Sequence, residues 1–166
     1  MEYQLRPVHP RDAQGINDLR RMPGVMENTM GMPSERVQRT EAALATPDVN
    51  SHQFVAVITE NGAEKVIGMV GLMVESRPRQ RHCGGIGLMV HTAYQGQGVG
   101  KALLETVLDV ADNWLMLKRV ELGVYHDNAR AQALYKAHGF EVEGIKRMAV
   151  IRGGEYIDEI MMARLH

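Results

Sequence analysis

Gln95-Gly96-Gln97-Gly98-Val99-Gly100-Lys101-Ala102 decides the reading of this chain, because three alternate glycines lead from an apolar strand pattern straight into an amphipathic helix pattern. Glycine has no Cβ, so the backbone can turn tightly with its N–H groups directed inward, and the helix beyond adds unpaired amides and a positive dipole end. Such a junction suits a pyrophosphate. Glycine-rich strand-to-helix turns also serve dinucleotides, nucleoside triphosphates and plain sharp bends. A nucleoside-triphosphate loop needs Ser or Thr after its Gly-Lys pair to reach the metal, and here Ala102 follows Lys101. A dinucleotide fingerprint belongs after the first strand, whereas this run lies well past the middle of 166 residues.

Working outward, Ile86 to Val90 reads as a short apolar strand that feeds the turn. Leu103, Val107, Val110, Ala111 and Trp114 recur at helical spacing and predict one buried face on a helix from Lys101 to about Leu117. Val120, Leu122 and Val124 alternate as a strand. Asp127-Asn128 then caps a second helix, with Ala131, Leu134, Tyr135 and His138 on one stripe and Gly139 closing it. Nearer the start, Tyr3 to Val8 is a strand, and Asp12 precedes a helix with Ile16, Leu19 and Arg20 that ends by Pro23. Gly24 to Pro33 is irregular, and Ser34 is the expected N-cap of a short helix through Val37, Ala43 and Leu44 that stops at Pro47. Phe54 to Ile58 and Val66 to Val74 form a hairpin about Glu60-Asn61-Gly62, and Val142 to Arg164 reads as strands broken at Gly153-Gly154. No repeat, linker or low-complexity segment interrupts the pattern.

The length sets the expectation of one domain over residues 1–166, and 45% hydrophobic with 23% charged residues is ordinary for a globular chain. A net charge of −1 offers no broad basic field for nucleic acid, although Arg77, Arg79 and Arg81 cluster locally. Cys83 has no partner for an intramolecular disulfide, no Cys/His spacing matches a zinc site, and no signal peptide or membrane-spanning run is visible. A cytoplasmic protein with no nucleic-acid or membrane partner is therefore expected. Twelve methionines against two phenylalanines imply an adaptable core or a soft apolar pocket.

Two pieces of the pattern coincide: strand, glycine turn and long helix, then strand, Asn-led helix and Gly139-Phe140. Together they resemble the GCN5-related N-acetyltransferase (GNAT) family. The family's acyl-CoA signature is Gln or Arg, two variable residues, Gly, one variable residue, then Gly or Ala, matched by Gln95, Gly98 and Gly100. Its second signature is matched by Asn128, Ala131, Leu134, Tyr135, Gly139 and Phe140 within DNARAQALYKAHGF, and the resemblance covers roughly Phe54 to Arg164. Arg77-Pro78-Arg79, Asp112-Asn113-Trp114-Leu115 and the segment from Glu143-Gly144 to Met162-Ala163-Arg164 look like the bacterial L-amino-acid N-acyltransferase subgroup. The closing segment is also similar to diamine acetyltransferases.

The resemblance implies a single-domain α/β (α+β) fold: a central mixed, mostly antiparallel twisted sheet of six to seven strands flanked by about four helices. It also implies transfer of an acetyl group from acetyl-CoA to a small amine, most simply a free L-amino acid, by direct attack, without metal and in a homodimer. The pantetheine arm would lie along Ile86 to Val90, held by backbone near Leu88, Met89 and Val90. The amides of Gln95, Gly96, Gln97, Gly98, Val99 and Gly100 would bind the pyrophosphate, with charge from Lys101 and a contact from Asn128. Tyr135 matches the acid that protonates the leaving thiolate, the alternative being a core tyrosine. Many relatives carry a strand Glu as base, but Gly85 occupies that place, which leaves His82, Glu121 or a water chain. Asn28 and Thr29, with Met30 and Met32, and Arg77 and Arg79 are the acceptor-pocket candidates, Arg77 and Arg79 for a carboxylate. Polyamine or protein N-terminal acetyl transfer, and a non-catalytic acyl-CoA sensor, are the competing functions.

Overall fold

The computed structural model describes residues 2–166. Its strands are β1 Gln4–Pro7, β2 Ser51–Glu60, β3 Ala63–Val74, β4 Cys83–Val90, β5 Arg119–Tyr125, β6 Glu141–Arg152 and β7 Glu155–Leu165. They form one seven-stranded sheet in the order β1-β2-β3-β4-β5-β7-β6, antiparallel at every step except β4–β5. Four helices flank it: α1 Ala13–Arg21, α2 Val37–Ala45, α3 Val99–Asp109 and α4 Ala129–Ala137. The hairpin between β2 and β3 turns on two residues only, Asn61 and Gly62, both at positive φ (52° and 80°). That conformation gives the turn the twist of the strands it joins.

Side-chain alternation divides the sheet into two faces. Ile67, Val70 and Leu72 of β3 and Val120, Leu122 and Val124 of β5 pack with Leu103, Leu104 and Val107 of α3 and with Phe140 into the larger core. On the other face Ile16 and Leu19 of α1 cover Val55, Val57, Val66 and Met69. Each fully buried aliphatic side chain contributes about 1.5–3 kcal/mol relative to exposure, so the larger cluster makes the α3 face the greater apolar contributor to stability. Helix α1 covers only the β2–β4 half of its face.

Two expectations are corrected. Helix α2 begins at Val37 behind Arg36, with no side-chain cap, so Ser34 does not start it. The long helix does not continue regularly to Leu117. After Asp109 the chain makes a π-helical turn over Val110–Trp114, and the Leu115 amide donates to the carbonyl of Val110. One extra residue in a turn rotates the end of the helix off the buried stripe, and Trp114 emerges 78% exposed with its indole N–H donating to Asp109.

Candidate active site

Strands β4 and β5 pair over three positions only, Cys83↔Arg119, Gly84↔Val120 and Gly85↔Glu121, after which they part. Bonds at either end of β4 set the direction of the freed main-chain groups. The carbonyl of Cys83 accepts from Glu75 and the amide of His91 donates to Ile67, so odd-numbered residues address β3. The carbonyl of His82 accepts from Lys118 and Arg119, so even-numbered residues address β5. By that alternation Ile86 and Leu88 turn their N–H and C=O groups into the gap, and Val90 its N–H, the Val90 carbonyl being taken by the Gln95 side chain. At about 3.3 Å per residue the open edge from Ile86 to Val90 is roughly 13 Å long. It is a half-buried slot lacking one strand.

The glycine loop stands at the mouth of that slot. Gly96 and Gly98 take φ of 74° and 87°, values that a side chain would strain, and Gly98 is the N-cap of α3 without a side-chain bond of its own. The first helical bond runs from the Ala102 amide to the Gly98 carbonyl at 3.0 Å. The amides of Val99, Gly100 and Lys101 therefore precede any intrahelical acceptor. A Cβ at position 100 would meet Val90 and Leu134 at ordinary contact distances of 3.5 and 3.7 Å, which explains why the signature admits alanine there. Gln95 and Gln97 shape the loop with their side-chain amides, which donate to the carbonyls of Val90 (2.9 Å) and Ala93 (2.8 Å). Gln95 also accepts from Arg130 in the first turn of α4. Together Lys101 and Arg130 bring positive charge to a rim of free amides, so an elongated ligand ending in phosphate suits the loop and slot together.

A family model described as "Acetyltransferase (GNAT) family" matches residues 22–140. The chain belongs to the GNAT family of acetyltransferases. It is 34% identical over 165 residues to the L-amino acid N-acetyltransferase AaaT of Escherichia coli K12, covering 99% of this chain and 98% of that one. A GNAT-family acetyltransferase from Streptococcus pneumoniae superposes with a TM-score of 0.81 at 27% identity, with 99% of each chain covered. YncA of Salmonella typhimurium, a structure with its cofactor acetyl-CoA, shares the fold with a TM-score of 0.82 at 20% identity, covering 99% of this chain and 94% of that one. The enzyme class is thus N-acetyltransferase.

Within this GNAT fold the gap opens to both faces of the sheet. On the α3 face Tyr135 is 6% exposed, packs against Phe140 at 5.8 Å between ring centres, and shares the core cluster with Ile86, Leu88 and Val90. Burial pushes its phenol up to about 12, so it stays protonated throughout the neutral range. Asn128 caps α4, its Oδ1 accepting from the Ala131 amide at 3.2 Å, and thereby fixes the height of Tyr135. On the α1 face Gly85 and Glu121 stand side by side at the last paired position. Arg119 grips Glu121 at 2.8 Å and makes a two-pronged contact with Glu143, one prong at 2.8 Å. Tyr125 donates to the carbonyl of Thr29 at 3.1 Å and so ties the turn after α1 to the far end of β5.

Several expected site residues lie elsewhere. Met89 is odd-numbered, so its main chain addresses β3, and its side chain packs toward the α1 cluster. His82 is exposed in the turn before β4, where its carbonyl rather than its imidazole holds β5. Arg77 and Arg79 are exposed in the β3–β4 turn, at the Arg119 end of β5, whereas Asn28 and Thr29 sit at its Tyr125 end. Six residues of strand span about 20 Å, so the two groups stand at opposite ends of β5. Arg130 joins the site without having been among the sequence candidates, although it stands two residues after Asn128, inside the helix-opening motif.

Proposed function

We propose that this single domain over residues 1–166 moves an acetyl group from acetyl-CoA to the amino group of a free L-amino acid. The observation that carries the reading is the slot between β4 and β5 with the uncapped glycine loop at its mouth. The match to AaaT along nearly the whole chain supports the acceptor class. The donor supplies an activated acetyl thioester. Leu88 and Val90 would hold its amide-bearing arm as a strand partner. The amides of Gly96, Gln97, Gly98, Val99 and Gly100, with Lys101 and Arg130, would bind the pyrophosphate. The amide of Leu88 or Val90 would polarise the thioester carbonyl, and Tyr135 would give its proton to the departing sulfur. No step uses a metal.

The acceptor would approach from the α1 face between β5 and the turn carrying Asn28 and Thr29. Glu121, Glu143 and Glu159 lie on the same side of the sheet against Arg119 and Lys146, a small acidic excess that makes a diamine or polyamine the second reading. We place the enzyme in the cytoplasm, and no helix among the described residues is long and apolar enough to cross a membrane. We also propose a homodimer through the edge strand β6, where Val142, Ile145, Met148 and Ile151 expose apolar side chains. Free-thiol release from acetyl-CoA, measured across L-amino acids, polyamines and short peptides, tests the activity. Release with amino acids is expected; tight acetyl-CoA binding with no thiol from any amine would leave a sensor instead.

A further inference from the structure

Position 123 lies two residues beyond Glu121 on the same face of β5, just past the point where β4 departs. It is glycine for a local reason: a Cβ there would come within 2.6 Å of the Glu159 carboxyl carbon. Glu159 stands opposite Tyr125 in the β5–β7 ladder, so its side chain leans one step along the strand and lies across Gly123 toward the apex of the cleft. The sequence has thus removed a side chain from β5 and filled the space with a carboxylate from β7.

The two carboxylates on this face differ in their engagement. Glu121 is bound by Arg119 at 2.8 Å, and the same guanidinium is held from the other side by Glu143. Glu159 has Lys146 at 3.7 Å, and that lysine is 60% exposed. An exposed, solvent-screened pair of this kind is weak and leaves the Glu159 oxygens lone pairs to spare. The charged and titratable groups near it are Lys146 and Arg152 from β6, the latter paired with Asp127, and Tyr125 from β5, while Glu121 stands two residues from Gly123 along the same face. The charge of Glu159 reaches Tyr125, whose phenol is raised first by burial and then by this carboxylate.

We infer that Glu159, lying across Gly123, is the carboxylate that receives the proton of the acceptor ammonium, an inference that rests on the acetyl-transfer reading above. Glu159 takes one proton, directly or through a water, and releases it to solvent. The freed nitrogen lone pair forms the N–C bond to the acetyl carbon while the C–S bond breaks and its electron pair stays on sulfur. Tyr135 protonates that sulfur, and the second proton lost from nitrogen restores the phenol. The sum is one ammonium and one thioester giving one amide, one thiol and one proton.

The test compares Glu159→Gln, Glu121→Gln and Gly123→Ala in the full chain, reading thiol release against pH and acetyl-CoA affinity by calorimetry. Glu159→Gln should lower kcat about 100-fold near neutrality, with a residual rate that climbs steadily as rising pH deprotonates the free amine, and with acetyl-CoA affinity within about threefold of the parent. Gly123→Ala keeps the carboxylate but displaces it, and should show the same change in pH profile. Glu121→Gln should cost less than Glu159→Gln. The inference is overturned if Glu159→Gln keeps the parent pH profile, if Gly123→Ala does so, or if Glu121→Gln has the larger effect. Should Glu159→Gln not fold, Gly123→Ala decides alone. A parent enzyme that yields no thiol from any amine refutes acetyl transfer itself, a different result from any of these.

Discussion

On the α3 face of the cleft, Ile86, Leu88, Val90 and Tyr135 pack into one apolar core, and the groups with chemistry to offer are a phenol and main-chain amides. On the α1 face the same two strands carry Gly85, Gly87, Gly123, Arg119 and Glu121, with Glu159 folded in from β7. The first side is shaped by burial, which needs large side chains and leaves few titratable groups. The second is shaped by removing side chains and importing charge. A reaction that must keep an acid protonated and a base ionised at one pH needs these two environments apart, and a split sheet separates them by one strand thickness.

The contrast between the faces breaks first at Tyr135. Tyr135→Phe is expected to lower kcat by about 10²–10⁴-fold with acetyl-CoA affinity nearly unchanged, since only the leaving-group proton is lost. Unchanged turnover in a thiol-release assay would reduce Tyr135 to a core side chain. Because burial raises its phenol to about 12, activity should not fall below pH 10 on its account. Stability has the same sign: unfolded Tyr135 ionises from about pH 10 and the folded residue from about 12. Its contribution is thus complete below 10 and lost as pH rises through 12, which alkaline denaturation would read.

Smaller effects sharpen the same contrast. Leu103→Ala, wholly within the α3 core, should cost about 2–5 kcal/mol of stability in urea titration. Gly98→Val forces a β-branched residue to φ near 87°, and should weaken acetyl-CoA about tenfold or more, at a cost of roughly 1–2 kcal/mol. Asn128→Ala should remove about 1 kcal/mol through loss of the α4 cap. Arg77→Ala and Arg79→Ala should change the KM for an amino acid less than about twofold, because both stand at the wrong end of β5.

The α3 face is legible in the sequence and the α1 face is not. Leu103, Val107, Val120, Leu122 and Tyr135 announce their burial by helical or strand spacing, and the glycine turn announces its own geometry. The π-helical turn after Asp109 is hidden because a single inserted residue leaves the apolar spacing looking continuous while turning Trp114 outward. Glu159 is hidden for another reason. Its place over Gly123 depends on β7 pairing with β5 across the whole of α4 and β6, and no local pattern encodes that register. Arg77 and Arg79 stand close to β4 in sequence but at the end of it that pairs with β5, away from its open end.

Amide hydrogen exchange along β4, with and without acetyl-CoA, examines the slot itself. Ile86, Leu88 and Val90 should gain protection on binding while Gly87 and Met89, already directed at β3, change little, and the amides of Gly98 to Lys101 should slow with them. Saturating acetyl-CoA that leaves the Ile86, Leu88 and Val90 amides exchanging as before would contradict a slot that takes the cofactor as its missing strand.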